Sequence, residues 1–343
     1  MNRFVTGIAA LAIAVLTSAA AFAGETKIAW SHYTGWEPLG VIQSSGLMDE
    51  WNKKMGTDVE FVYIGDYVDS ITLYAAGQFA GVAVTNMDVL AIAGVGGRAS
   101  IALIVGDYSD GNDGLVLKGV TLDQINDRTV NLVEFSVSHY LLARCAQIKG
   151  FDMDRLELEN TTDADIPALM ETSDTAVAVS WNPMLMTIRS MAGVETVCTS
   201  KDIPGEIIDM VVVGDEVTDV EQKALVGAWF EMMALIEARD PDTLAALAEQ
   251  AGSSVTDFEA QLETTHMFYT PAAAAAFVND SALESTMNSV VNFSFNAGVY
   301  DGVDSPGELG VSFPSGNVMG DSSNVMLKFD TSIIEMAADG QLN

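Results

Sequence analysis

Basic residues are scarce in this chain: 15 Lys and Arg stand against 48 Asp and Glu in 343 residues, a formal net charge of −33. Such a balance repels nucleic acid and anionic membrane surfaces, so neither is an expected partner. The acids form few long runs and read as a solvated surface rather than a disordered tail. Cysteine is nearly absent, with Cys145 and Cys198 alone, and neither has the Cys-x-x-Cys or Cys/His spacing of a metal site. Their pairing stays open between a disulfide and a buried free thiol, because Cys145 sits in an apolar helical pattern. Long apolar runs are missing too. The stretch near the N-terminus is too short to span a bilayer comfortably, and no other approaches that length. Gly-x-Ser-x-Gly, His-Glu-x-x-His and phosphate-loop motifs are absent, and Gly94-Val95-Gly96-Gly97 has the wrong spacing for a nucleotide fingerprint. These absences argue against an enzyme, and no cofactor or metal is expected.

What is present begins with Asn2-Arg3, an apolar stretch over 8–15 and Ala21-Phe22-Ala23, the pattern of a secretory signal with an A-x-A cleavage site. No Cys stands there to take a lipid anchor. Cleavage would leave about 320 residues, more than one hydrophobic core usually supports, so two lobes are expected.

Strand-like segments at 27–30, 59–64 and 81–85 are each followed by a loop and a helical pattern, which argues for parallel βαβ units. After a fourth strand at 99–105, the acidic, glycine-rich loop 107–114 reads as a crossover between lobes. It matches a calcium loop superficially but lacks the late bidentate Glu and the flanking helices. A second βα series follows, with strands at 129–134, 156–158 and 176–179; the chain returns at 211–213, and helices are expected to dominate beyond. The division is therefore signal peptide 1–23, first lobe 24–113, second lobe 114–210, and a return to the first lobe with C-terminal helices over 211–343.

The order of motifs is similar to that of the substrate-binding proteins of ABC importers for sulfonates, taurine and thiamine precursors. Gln78-Phe79-Ala80-Gly81-Val82-Ala83-Val84-Thr85-Asn86, Glu134-Phe135-Ser136-Val137-Ser138-His139-Tyr140 and Ala178-Val179-Ser180-Trp181-Asn182-Pro183 carry that resemblance. Within the superfamily, Trp30-Ser31-His32-Tyr33-Thr34-Gly35-Trp36-Glu37-Pro38, Val84-Thr85-Asn86-Met87-Asp88 and Ile203-Pro204-Gly205-Glu206-Ile207-Ile208-Asp209 resemble the branch associated with urea carboxylase, of urea or guanidine type. The resemblance implies a type II periplasmic-binding fold, two α/β lobes with a hinged ligand cleft. It further implies a monomeric periplasmic receptor, a small nitrogen-rich ligand, and as partner an ABC permease with its ATPase.

In open α/β sheets the ligand lies beyond the carboxyl ends of the strands. The loops there hold Tyr33, Trp36 and Glu37, then Asp66 and Tyr67, then Thr85, Asn86 and Asp88; the second lobe adds Glu134, Ser136, Ser138, Trp181 and Asn182, and the returning chain Asp209. Ser136, Ser138 and Asp66 fit a helix cap as well as a ligand contact. None of these candidates is Lys or Arg, the usual partners of a sulfonate or phosphate. Carboxylates and aromatic faces suit a compact planar cation instead: guanidinium meets both, and urea meets the hydrogen bonds without the charge. With four non-hydrogen atoms, guanidinium has a ceiling of about 6 kcal/mol, or tens of micromolar, unless charge pairing exceeds it. Competing readings are a pyrimidine or taurine receptor and, from another class, a thiamine-pyrimidine synthase. The last needs a cofactor-holding Lys and a cysteine-rich segment that this chain lacks.

Overall fold

The computed structural model describes residues 25–174, 176–300 and 302–342. The expected signal peptide, 1–23, lies outside them. Among the described residues no helix is long and apolar enough to cross a membrane.

Short apolar strands covered on both faces build the first lobe, as parallel sheets require. They are β1 (Thr26–Trp30), β2 (Val59–Tyr63), β3 (Gly81–Thr85) and β4 (Ser100–Ser109). The second lobe follows with β5 (Asp113–Lys118), β6 (Thr129–Leu132), β7 (Glu157–Asn160), β8 (Ala176–Trp181) and β9 (Val194–Thr199). The chain then returns through β10 (Ile208–Val213), and adds β11 (Thr265–Met267), β12 (Gly310–Ser312), β13 (Val318–Met319) and β14 (Val325–Phe329).

Two separate sheets result. The larger runs β13-β12-β14-β4-β10-β3-β1-β2, with β11 also on β4; the smaller runs β7-β6-β8-β5-β9. β1 pairs in parallel with β2 and β3, whereas β10 enters antiparallel between β3 and β4. The chain crosses between sheets twice, at 110–112 and at 200–207, so the acidic loop forms one crossing.

Beyond residue 213 helices predominate, and the short strands β11, β12, β13 and β14 extend the first sheet. Each is only two to five residues long, too short for an alternation pattern to register. One expectation needs correction: the helical pattern expected after the third strand is a six-residue π-helical turn, Val89–Gly94. The cysteine question is settled: Cys145, in the helix Val137–Lys149, forms a disulfide with Cys198 of β9.

Candidate functional site

Toward the carboxyl ends of β3, β4 and β8 and the amino ends of the antiparallel β5 and β10, two rows of paired residues face each other across the cleft. In the first sheet Asp209 of β10 lies opposite Thr85 of β3 on one side and Asp107 of β4 on the other. In the second sheet Asp113 of β5 lies opposite Trp181 of β8. Directly opposed residues on antiparallel strands project to the same face, so the register itself groups these side chains.

Between the rows lies a narrow cavity of about 10 Å³, lined by Tyr33, Trp36, Tyr67, Thr85, Asp113, Val137, Trp181, Ile207 and Asp209. Four of these are aromatic rings in sequence: Tyr33 to Trp36 at 4.9 Å, Trp36 stacked on Tyr67 at 5.5 Å, and Tyr67 edge-on to Trp181 at 5.6 Å. Three rings have their polar tips engaged. Tyr33 donates to Asp107 Oδ1 at 2.8 Å, Tyr67 to Asp88 Oδ2 at 2.8 Å, and Trp181 Nε1 to the His32 carbonyl at 3.1 Å. What these three offer an occupant is ring surface. The fourth, Trp36, keeps a buried indole N–H without an acceptor.

The acids are unusual in their lack of counter-charge. Asp88, Asp107, Asp113 and Asp209 are all buried, and none forms an ion pair among the described residues. Arg189 is the nearest cation to Asp113, but its hydrogen bonds go to the Gly111 carbonyl and Thr196. Burial therefore dominates: it pushes Asp88 and Asp107 up to about 7 and Asp113 to about 6, against the hydrogen bonds that favour the charged forms. Asp209 is raised well above the carboxylate range by burial, then by the charges of Asp107 and Asp113. One oxygen each of Asp88, Asp107 and Asp209 has no hydrogen-bond partner. A buried orphan acceptor costs about 1 to 3 kcal/mol, more when charged, so these oxygens call for a donor, supplied either by a bound molecule or by a proton held on a neighbouring carboxyl.

The structure brings Tyr33, Trp36, Tyr67, Thr85, Trp181 and Asp209 to the cavity, with Asp88 behind Tyr67. The remaining candidates fall elsewhere. Glu37 is buried but pairs with His32 at 2.7 Å and accepts from Gln250. Asp66 caps the helix Tyr67–Ala75 and accepts from Thr162 of the second lobe at 2.8 Å. Asn86 fastens Ile208 and Glu206 on the returning chain. Glu134 sits in an outer groove beside Asp66 and Phe135. Ser136 caps the helix Val137–Lys149; Ser138 is in its first turn, with a buried hydroxyl that has no partner. Asn182 ties β8 to Asn112 at the crossing. Residue-type reasoning cannot separate these from true cavity residues, because capping and clasping use the same Asp, Asn and Ser side chains.

Asp107, Asp113, Val137 and Ile207 were not among the sequence candidates. The available signal was the pair Gly106-Asp107 and Asp113-Gly114, which sets an acid beside a glycine in each of the two apolar strands that flank the crossing.

No family model and no curated protein matches the sequence. Solved structures do match. The alkanesulfonate-binding protein SsuA from Xanthomonas axonopodis pv. citri, bound to MOPS, aligns with a TM-score of 0.66 at 10% identity, covering 80% of this chain and 94% of that one. The ligand-binding component of an ABC-type import system from Staphylococcus aureus, with zinc bound, gives 0.66 at 13%, covering 91% and 98%. The periplasmic nitrate-binding protein NrtA from Synechocystis PCC 6803 gives 0.57 at 13%, covering 92% and 98%. At such identities the likeness shows the fold alone: two α/β lobes about a cleft, the type II periplasmic-binding architecture.

Proposed function

We propose that this protein is a periplasmic solute receptor that captures a small nitrogen-rich cation, guanidinium by preference, and delivers it to an ABC permease driven by its ATPase. The observation that carries the reading is a cavity walled by four aromatic rings and lined by Asp209, which no cation faces among the described residues, and by Asp113, which Arg189 approaches without an ion pair. Guanidinium has a planar, weakly hydrated face for the rings and N–H groups for the carboxylates. A sulfonate or nitrate would meet two carboxylates and no lysine or arginine on that wall, so the cargo named for SsuA and NrtA does not transfer. Hinge closure is the working step: a ligand held by the first lobe gains Trp181, Asp113 and Val137 from the second, which shifts the population toward the closed form. The receptor acts as a monomer and performs no covalent chemistry.

Calorimetric titration of the chain from Gly24 with guanidinium, urea, taurine and a thiamine-type pyrimidine, after removal of carried-over ligand, tests the proposal. Guanidinium is expected to bind and taurine not. Binding of taurine or of the pyrimidine in its place would retain the receptor and overturn the cation reading.

A further inference from the structure

Asp107 lies one strand back from the cavity and does not line it, yet its position bears on everything that enters. It faces Asp209 directly across the β10–β4 pair. Its Oδ2 is packed so closely against the aromatic loop that a Cβ on Gly35 would meet it at 2.2 Å. Neither that oxygen nor Asp209 Oδ2 has a hydrogen-bond partner.

Groups that face the two acids from each surrounding element supply no positive charge. They are Tyr33 from the loop after β1, Asp113 from β5 and Tyr269 beyond β11, with Asp88 after β3 interacting with Asp113. Arg189 reaches Asp113 only, from the helix Met184–Arg189.

We propose that Asp107 determines the charge and the specificity of the site: it shares one proton with Asp209 in the ligand-free protein, and an incoming cation expels that proton to solvent. The inference rests on the cation reading above. Two opposed carboxylates in a dry site do not both ionise without compensation. A proton supplies that compensation when the cavity is empty, and a monovalent cation supplies the same unit of charge when it is full. The exchange leaves the buried net charge unchanged, so binding does not bury an uncompensated ion. A neutral ligand such as urea expels no proton and faces a carboxyl pair that is still half protonated. Asp107 is thus a positioning residue for charge, acting through Asp209.

The test is calorimetry with guanidinium chloride at neutral pH in two buffers of different ionisation enthalpy, which counts protons released per ligand bound. About one proton is expected for the wild type, and affinity should fall about tenfold per pH unit on acidification while the pair holds its proton. Asp107→Asn should bring the proton count toward zero and flatten the pH profile. A merely structural role for Asp107 would weaken binding and leave the count unchanged. If Asp107→Asn does not fold, the wild-type count and pH slope decide alone. Binding with no proton released overturns this inference and leaves the cation receptor standing, whereas no binding of guanidinium at any pH overturns both.

Discussion

The backbone N–H of Val137 donates to Asp88 Oδ2 at 3.0 Å, so the first turn of a second-lobe helix is tied to an acid of the first lobe. The Tyr67 hydroxyl donates to the same oxygen. Asp88 therefore links a cavity ring to the opposite wall through Oδ2, while its Oδ1 is left without a partner. Asp88→Ala should leave the Val137 N–H unpaired and Tyr67 with only its long contact to Thr85 Oγ1, at a cost of about 1 to 3 kcal/mol of closed-state stability. Small-angle scattering is expected to show a more open average form, with affinity reduced tenfold or more.

Charge at the cavity wall should separate a cation from its neutral analogue. Asp209→Asn is expected to weaken guanidinium by about 1.5 to 3 kcal/mol, the range for a hydrogen bond to a charged group, and urea far less. Parallel titrations of both ligands give the ratio; equal losses would remove Asp209 from the charge contact.

Ring truncation should cost affinity without changing the fold. Trp36→Ala is expected to weaken guanidinium by about 1 to 3 kcal/mol. Trp181 has two roles, because its ring walls the cavity and its N–H reaches the His32 carbonyl across the cleft. Trp181→Phe keeps a ring and removes only the tie, so its affinity should fall between those of the wild type and Trp181→Ala.

Stability should run against the usual direction with pH. Acids paired in a folded protein lose protons more readily there; Asp88 and Asp107, raised to about 7, and Asp113, raised to about 6, hold protons more tightly than in the unfolded chain. Between about pH 4 and pH 7 the native state binds more protons, so stability falls as pH rises. Self-repulsion at a net charge of −33 acts with the same sign. The ligand-free melting temperature is expected to be several degrees higher at pH 5 than at pH 8, with the gap narrowed by bound guanidinium.

Reduction of the Cys145–Cys198 disulfide should act on the second lobe. The bond closes a separation of 53 residues, for which loop entropy gives about 4 kcal/mol. Urea unfolding with and without reductant measures it, and Cys145→Ala/Cys198→Ala should match the reduced protein.

Much of the fold was legible because β1, β2 and β3 combine apolar strands with helices at regular spacing, and the first-sheet order rests on those units. β9 was missed because an edge strand of mixed burial, Val194–Thr199, carries no clean alternation. For the site, aromatic residues in strand-end loops were the most informative: Tyr33, Trp36, Tyr67 and Trp181 all reach the cavity. Acids were less so. Asp66 and Glu134 stand at strand ends as expected but cap or face outward, whereas Asp107 and Asp113 were hidden in a loop whose acidity resembled ordinary solvated surface. Only the register of β4 against β10, and of β5 against β8, turns those two inward.

The four rings do not all belong to one lobe. Tyr33, Trp36 and Tyr67 stand on the first lobe and Trp181 on the second, as Asp209 and Asp113 are likewise divided. Half a cage holds little, so on the proposed reading each lobe alone would be a poor receptor. Recognition would then be a coincidence event: a solute would have to satisfy both halves within one closure, and one that fitted only the first would be released before the second arrived. Selectivity in such a design would lie in the lifetime of the shut state as much as in the shape of either wall.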